Sequence, residues 1–184
     1  MSLRIIAGAL GGRYIEVPSG RRTRPTGARV REAWFSLLGD RIEGASVLDL
    51  FAGSGALGIE ALSRGASVVH FVERDRAVFE VLRGNVVGMG VQEQAALHRQ
   101  DVFRFLTERE SDRFCDIALA DPPYHRGAAF RLVEEFRCRP FADLLCVEHG
   151  ADEPVGDSAD RQRRYGDTML SFFVEPKGGD AGAS

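Results

Sequence analysis

The sequence is short of cysteine and of long apolar runs, and each shortage narrows what the chain can do. No apolar run approaches the ~18 residues of a membrane span, and the N-terminus lacks the apolar core of a secretory signal, so a cytosolic protein is expected. The three cysteines, Cys115, Cys138 and Cys146, are odd in number and scattered. They read as reduced packing residues and supply neither a disulfide framework nor a zinc site. The motifs show no Ser-His-Asp or Cys-His arrangement for covalent catalysis. Of the 24 basic residues 23 are arginine, but this holds along the whole chain and says nothing about binding.

What is present points to one soluble domain. At 184 residues, 44% hydrophobic and 28% charged, the chain is long enough to bury a full core. A net charge of −3 argues against nucleic acid, yet residues 1–31 carry seven arginines against the single acid Glu16, a local charge of +6 that leaves −9 on the remainder. A basic arm on an acidic body suits phosphate, because the planar guanidinium fork matches it; a solvated charged loop is the alternative reading.

After this arm the pattern is regular. "LRIIAGALGGRYIEVP" reads as a hairpin, and "PTGARVREAWFSLLGDRI" places Val30, Trp34, Leu37 and Leu38 at helical spacing, with Trp34 as a packing residue. From residue 46, "SVLDLF", "SVVHFVE", "AALHRQ", "CDIALAD", "LLCVEHG" and "MLSFFVE" read as strands, with helices near 56–64, 75–89, 101–109 and 127–137. Such alternation implies an α/β fold with a largely parallel sheet between helix layers. Residues 1–40 are expected as a basic hairpin-and-helix extension, 41–176 as the main body and 177–184 as a flexible tail.

Ligands of open α/β sheets bind beyond the carboxyl ends of strands, so the residues after each run carry the information. The first run leads into "DLFAGSGALGIEAL", with Gly53, Gly55 and Gly58 in G-x-G-x-x-G spacing. That spacing alone serves a dinucleotide equally well. Asp49 tilts the choice, because a carboxylate there repels a pyrophosphate and attracts the ammonium of an amino-acid moiety, which points to S-adenosylmethionine. Glu73 closes the second strand, 20 residues beyond Gly53, where an acid accepts from both ribose hydroxyls. Asp101 follows the third and can accept from the adenine amine, with the Val102 backbone beside it; helix capping is the alternative for Asp101.

The fourth strand ends in "DPPY", Asp121 to Tyr124. Read alone, this is a turn. In this position it resembles the loop of amino-methyltransferases that holds an exocyclic NH₂ group. Asp121 and the Pro122 carbonyl can each accept one N–H, leaving the nitrogen lone pair aimed at a methyl donor, while Pro123 keeps the loop extended. Tyr124 offers its ring face to the base, so on this reading a phenylalanine there would retain much of the activity. His125, next in the chain, is the one histidine near this chemistry.

Together with "RIIAGALGGRYIEVPSGRRTRPTGARVREAWFSLL", "VLDLFAGSGALGIEALSRGA", "FVERD" and "RRYGDTMLSFF", these motifs resemble the RsmD-type family of 16S ribosomal RNA guanine-N2 methyltransferases over nearly the whole chain. The resemblance implies a Rossmann-like class I S-adenosylmethionine-dependent fold with a mostly parallel seven-stranded sheet. It implies donor contacts from Asp49, Ala52, Gly53, Ser54, Gly55, Gly58, Glu73, Arg74, Asp101 and Val102, and target-base contacts from Asp121, Pro122, Pro123 and Tyr124. Arg13, Arg24, Thr26, Arg29 and Arg31 would face 16S ribosomal RNA, free or in a small subunit, and the protein would be a cytoplasmic monomer. Ala28 stands where the family usually has an acid before "RVRE", so a contact made by that acid does not carry over. A DNA adenine-N6 methyltransferase shares the "DPPY" logic, but Ala120 lies only 65 positions beyond Gly55, which leaves no room for a target-recognition insert. A non-catalytic RNA-binding module is the third reading, and the intact glycine loop and "DPPY" speak against it.

Overall fold

Strands buried on both faces need partners on both edges and helices above and below. The apolar runs satisfy this in the computed structural model, which describes residues 1–18, 27–109, 113–124, 126–156 and 159–175. A short antiparallel hairpin, β1 (Ser2–Arg4) and β2 (Tyr14–Glu16), precedes helix α1 (Ala28–Leu38) and a 3-10 turn at Gly39–Ile42. Then follow β3 (Ser46–Leu50), α2 (Ala56–Ser63), β4 (Val68–Val72), α3 (Arg76–Met89), β5 (Ala95–His98), α4 (Val102–Thr107), β6 (Cys115–Ala120), α5 (Ala128–Cys138), β7 (Ala142–Gly150), β8 (Arg161–Tyr165) and β9 (Thr168–Val174).

The main sheet has seven strands in the order β5-β4-β3-β6-β7-β9-β8. The first five are mutually parallel, and β9 and β8 add antiparallel pairings at one edge. Chain order reverses between β3 and β6, which is where ligands of open sheets bind. Alternation along each strand divides the core. Val47, Val69, Ile117 and Leu144 pack with α1, α2 and α3, whereas Leu48, Val72, Ala118 and Leu145 pack with α4 and α5.

The seventh strand is the element that hydrophobic periodicity does not reveal. Its sequence, RQRRY, has four exposed residues and Tyr165 half-buried. An edge strand facing solvent needs no apolar run, and charge on it discourages pairing with another chain.

The N-terminal hairpin is fastened to the body by buried acceptors. Ile5 and Ile15 enter the same core cluster as Trp34, Phe35, Leu57 and Leu82. Glu60 of α2, 0% exposed, accepts the Ile6 and Ala7 amides at 2.7 and 3.1 Å, and the Ser63 hydroxyl accepts from Leu10 N at 2.9 Å. Gly8 has φ +80°, and a methyl group there would overlap the Ser63 carbonyl. Only glycine lets the hairpin approach α2 so closely. Residues 177–184, expected as a tail, lie outside the described residues.

Candidate active site

The strand register sets Leu50, Val72, His98 and Ala120 in one row across β3, β4, β5 and β6. The residues that follow them therefore share one end of the sheet. Asp49 lies just inside this rim, 1% exposed, and its Oδ2 accepts the Gly58 amide at 2.9 Å. A Cβ on Gly58 would fall 2.9 Å from that carboxylate and overlap the Phe71 ring, so the third glycine of the motif permits the bond. Burial, the leading cause, pushes the Asp49 carboxyl up to about 7; the Gly58 amide opposes this, and the Glu73 charge adds to it.

The turn from β3 into α2 runs through left-handed backbone. Phe51, Gly53 and Gly55 have φ of 61°, 57° and 85°. For Phe51 this conformation is strained, and such strain persists where surrounding structure over-determines it, often at a ligand site. Nothing in the glycine pattern reveals it. Ala52 donates its amide to the Val72 carbonyl at 3.0 Å. Glu73, 6% exposed, accepts the Gly53 amide at 3.1 Å with one oxygen and the Asp75 amide at 2.7 Å with the other, joining the ends of β3 and β4. A Cβ on Gly53 would meet no protein atom nearer than 3.9 Å. The side where a side chain would project is open, as close approach of a ligand requires. These residues fit a nucleoside-bearing donor: a glycine cradle at the switch point with a buried carboxylate on either side.

Asp101 sits past β5 and caps α4, its Oδ1 accepting from Phe103 N at 3.0 Å and Arg104 N at 3.3 Å. Capping uses one oxygen; the other, Oδ2, is at the surface, 3.6 Å from the Arg74 guanidinium. Val102 is buried beneath it. The Ser54 carbonyl accepts from Asn85 Nδ2 at 2.8 Å. Asn85, 5% exposed, also exchanges bonds with the Glu16 backbone at 2.8 and 2.9 Å, so it ties hairpin, α3 and glycine loop together. A lone asparagine in an otherwise amphipathic helix carries no sequence signal for this.

Asp121 follows β6, the strand next to β3, so "DPPY" faces the glycine loop across the switch point. Asp121 is half-buried, Pro122 buried, Pro123 exposed and Tyr124 half-buried. The Tyr124 hydroxyl donates to Glu148 Oε1 at 2.8 Å and lies 3.1 Å from Thr168 Oγ1. Glu148 also accepts from Trp34 Nε1 at 3.3 Å, so the tryptophan read as packing has a polar partner as well. Burial, first, and then the Glu148 and Asp121 charges hold the Tyr124 phenol well above its ordinary range, outweighing the opposing Thr168 bond.

The basic arm is where the structure departs most from expectation. Arg31 is 2% exposed; its Nη2 donates to the Arg4 carbonyl at 2.9 Å and its Nη1 lies 4.0 Å from Glu60. It faces the core side of α1 and is not placed to meet a phosphate, because position 31 falls on the buried stripe with Trp34 and Phe35. Arg13 is exposed but committed, donating to the Gly88 and Met89 carbonyls at 2.7 and 3.1 Å. There it caps the C-terminus of α3, whose last carbonyls carry the negative end of the helix dipole. Arg29 is exposed on the first turn of α1. Gly27 caps that helix without a side-chain hydrogen bond, and Ala28 offers none. Arg24, Thr26 and His125 lie outside the described residues. Among the described residues no group of three acids, histidines or cysteines is placed to hold a metal, and no helix is long and apolar enough to cross a membrane.

Related proteins match this chain over most of its length. The family described as Conserved hypothetical protein 95 matches residues 3–174. The ribosomal RNA small subunit methyltransferase D of Escherichia coli K12 is 41% identical over 98% of this chain and 94% of its own. That of Haemophilus influenzae is 39% identical over 83% and 81%. A solved structure of a hypothetical protein from Thermus thermophilus superposes with a TM-score of 0.82 at 29% identity, covering 94% of this chain and 99% of its own. An RNA methyltransferase from Salinibacter ruber, solved with S-adenosyl-L-homocysteine, shares the fold at 18% identity, with a TM-score of 0.64 over 83% and 94%. The chain belongs to the family of ribosomal RNA small subunit methyltransferase D.

Proposed function

We propose that this protein transfers the methyl group of S-adenosylmethionine to the exocyclic N2 amine of a guanine in small-subunit ribosomal RNA. Family membership and fold support methylation of ribosomal RNA with this donor. The single observation that carries the finer reading is the placement of "DPPY" directly across the switch point from the Gly53–Gly55–Gly58 cradle.

Each residue has a role that its geometry allows. Glu73 would hold the ribose hydroxyls, Asp101 and the Val102 backbone the adenine, and ionised Asp49 the ammonium of the donor, whose sulfonium supplies the methyl group. An aryl amine is a weak nucleophile because its lone pair is delocalised into the ring. Asp121 and the Pro122 carbonyl, each accepting one N–H, would turn that lone pair toward the methyl carbon. As the N–C bond forms the C–S bond breaks, and one amine proton leaves, with Asp121 beside it as the nearest acceptor. The ring of Tyr124 stacks on the base, worth about 1–3 kcal/mol, which offsets the cost of unstacking it from its neighbours.

The experiment is transfer of labelled methyl from S-adenosylmethionine to 16S ribosomal RNA, free and within small subunits, followed by mass analysis of the nucleosides. N2-methylguanosine is the expected product. N6-methyladenosine, or label on DNA alone, would overturn the assignment.

A further inference from the structure

The geometry points to Glu148 and Thr168, with Trp34 behind them, as positioning residues for the reaction: they pin the Tyr124 hydroxyl and so fix the ring on which the target base stacks. This rests on the target-base role proposed for "DPPY", and it reaches residues to which neither the glycine loop nor "DPPY" assigns a part. Two elements reach the phenol and a third backs it through Glu148. Glu148 comes from β7, Thr168 from the first position of β9 and Trp34 from α1. They are 4%, 8% and 0% exposed.

The donor inventory explains why a carboxylate stands in the middle. An indole N–H can only donate, and the phenol donates its proton to Glu148 as well, so the group between them must accept twice. The two oxygens of Glu148 do so, one at 2.8 Å from Tyr124 and the other at 3.3 Å from Trp34. Burying a carboxylate is costly, and packing alone would be served better by an apolar side chain. The upward shift of the phenol, caused first by burial, keeps its proton in place, so the donor role persists across the working pH range.

A stacking platform contributes only where its face already stands in the position the base will take. The backbone holds one end of the Tyr124 ring and the Glu148 and Thr168 bonds hold the other. Phenylalanine would keep the face and lose the second anchor. This departs from the sequence-based expectation that phenylalanine at 124 retains much of the activity. Glutamine at 148 is a different case: its carbonyl can accept from Trp34 while its NH₂ donates to the phenol oxygen, and the phenol then donates to Thr168.

The test compares parent, Tyr124→Phe, Glu148→Leu, the double variant and Glu148→Gln for methyl transfer to 16S ribosomal RNA and for donor affinity. Each of the first two single changes is expected to lower kcat/KM for RNA by about tenfold with donor affinity within about twofold of the parent. The double variant should fall no more than about twofold below the worse single, because both break one interaction. Glu148→Gln should stay within about threefold of the parent. Trp34 is the only tryptophan, so one indole N–H resonance reports the far side of Glu148; it should move in Tyr124→Phe. Tyr124→Phe adds no volume and carries the test if Glu148→Leu does not fold. Parent-level kcat/KM in Tyr124→Phe, losses that multiply to about 100-fold in the double, or an unmoved indole resonance would overturn the positioning role alone. A parent that transfers no methyl to ribosomal RNA would overturn the function proposed above and this role with it.

Discussion

The donor half and the target half of the site are held together by different means. Asp49, Glu73 and Asp101 each accept amides from the turn or helix that follows their own strand or from the neighbouring strand end, at sequence separations of 9, 20, 2 and 3. Tyr124 is anchored by Glu148 and Thr168, 24 and 44 positions away, and Glu148 in turn by Trp34, 114 positions away. The first half is built by three successive strand-to-helix turns, with Asn85 tying the glycine loop to α3 and the hairpin. The second exists only when β7, β9 and α1 are all in place. A binding site made of local turns can form early and tolerate change elsewhere, whereas a site made of distant contacts reports the integrity of the whole domain.

That contrast is broken or sharpened by separating chemistry from donor binding. Asp121→Ala has the largest expected effect, a fall in methyl transfer of at least about 100-fold, because it releases the amine from its near-attack geometry. Donor affinity in the same variant, read by calorimetry, should match the parent. Glu73→Ala comes next, weakening the donor by about 10- to 100-fold, since a hydrogen bond to a charged group contributes roughly 1.5–3 kcal/mol. It also frees the Gly53 amide, so the loss should sit at the upper end. A donor affinity unmoved by this change would remove the basis for the ribose site.

A smaller effect follows from pH. The Asp49 carboxyl is raised to about 7 by burial, so below that value the folded, empty site holds it protonated. A donor carrying an ammonium group favours the ionised form, and binding must then release a proton. Donor affinity should therefore fall as pH drops below about 7, by at most about tenfold per unit, and level off above it. Asp49→Asn should flatten this dependence, and a profile that keeps its slope would assign the titration elsewhere. The same raised value means that Asp49 stabilises the empty fold least at high pH: its contribution is complete below the unfolded value near 4 and is lost as pH rises to about 7.

The smallest effects distinguish the arginines. Arg29→Gln should leave stability unchanged and reduce the slope of log K against log salt for RNA by about 0.7–0.9. Arg31→Gln should do the reverse, lowering the melting temperature and sparing the salt slope, because its guanidinium is turned to Arg4 and Glu60. A salt slope that responds to Arg31 and not to Arg29 would reverse the two assignments.

The same contrast explains how much was legible in the sequence. The glycine spacing, the acids at three strand ends and "DPPY" each occupy a fixed offset within one turn, and such offsets survive in a linear string. Burial of Arg31 was also encoded, since it falls three residues before Trp34 on the apolar stripe of α1, but the charge pattern of the arm drew the reading outward. The left-handed Phe51, the bridging Asn85 and the pair Glu148 and Thr168 were not legible, because their roles depend on which strands end up adjacent. Strand β8 escaped for a different reason: an edge strand of exposed arginines has no hydrophobic period to detect.

The most direct measurement is single-turnover methyl transfer to 16S ribosomal RNA at increasing donor concentration for the parent, Glu73→Ala and Asp121→Ala. If donor and target halves are built as described, Glu73→Ala regains most of the parent rate once the donor is saturating, and Asp121→Ala stays slow at every concentration. Recovery of Asp121→Ala at high donor, with Glu73→Ala remaining slow, would contradict the division of the site.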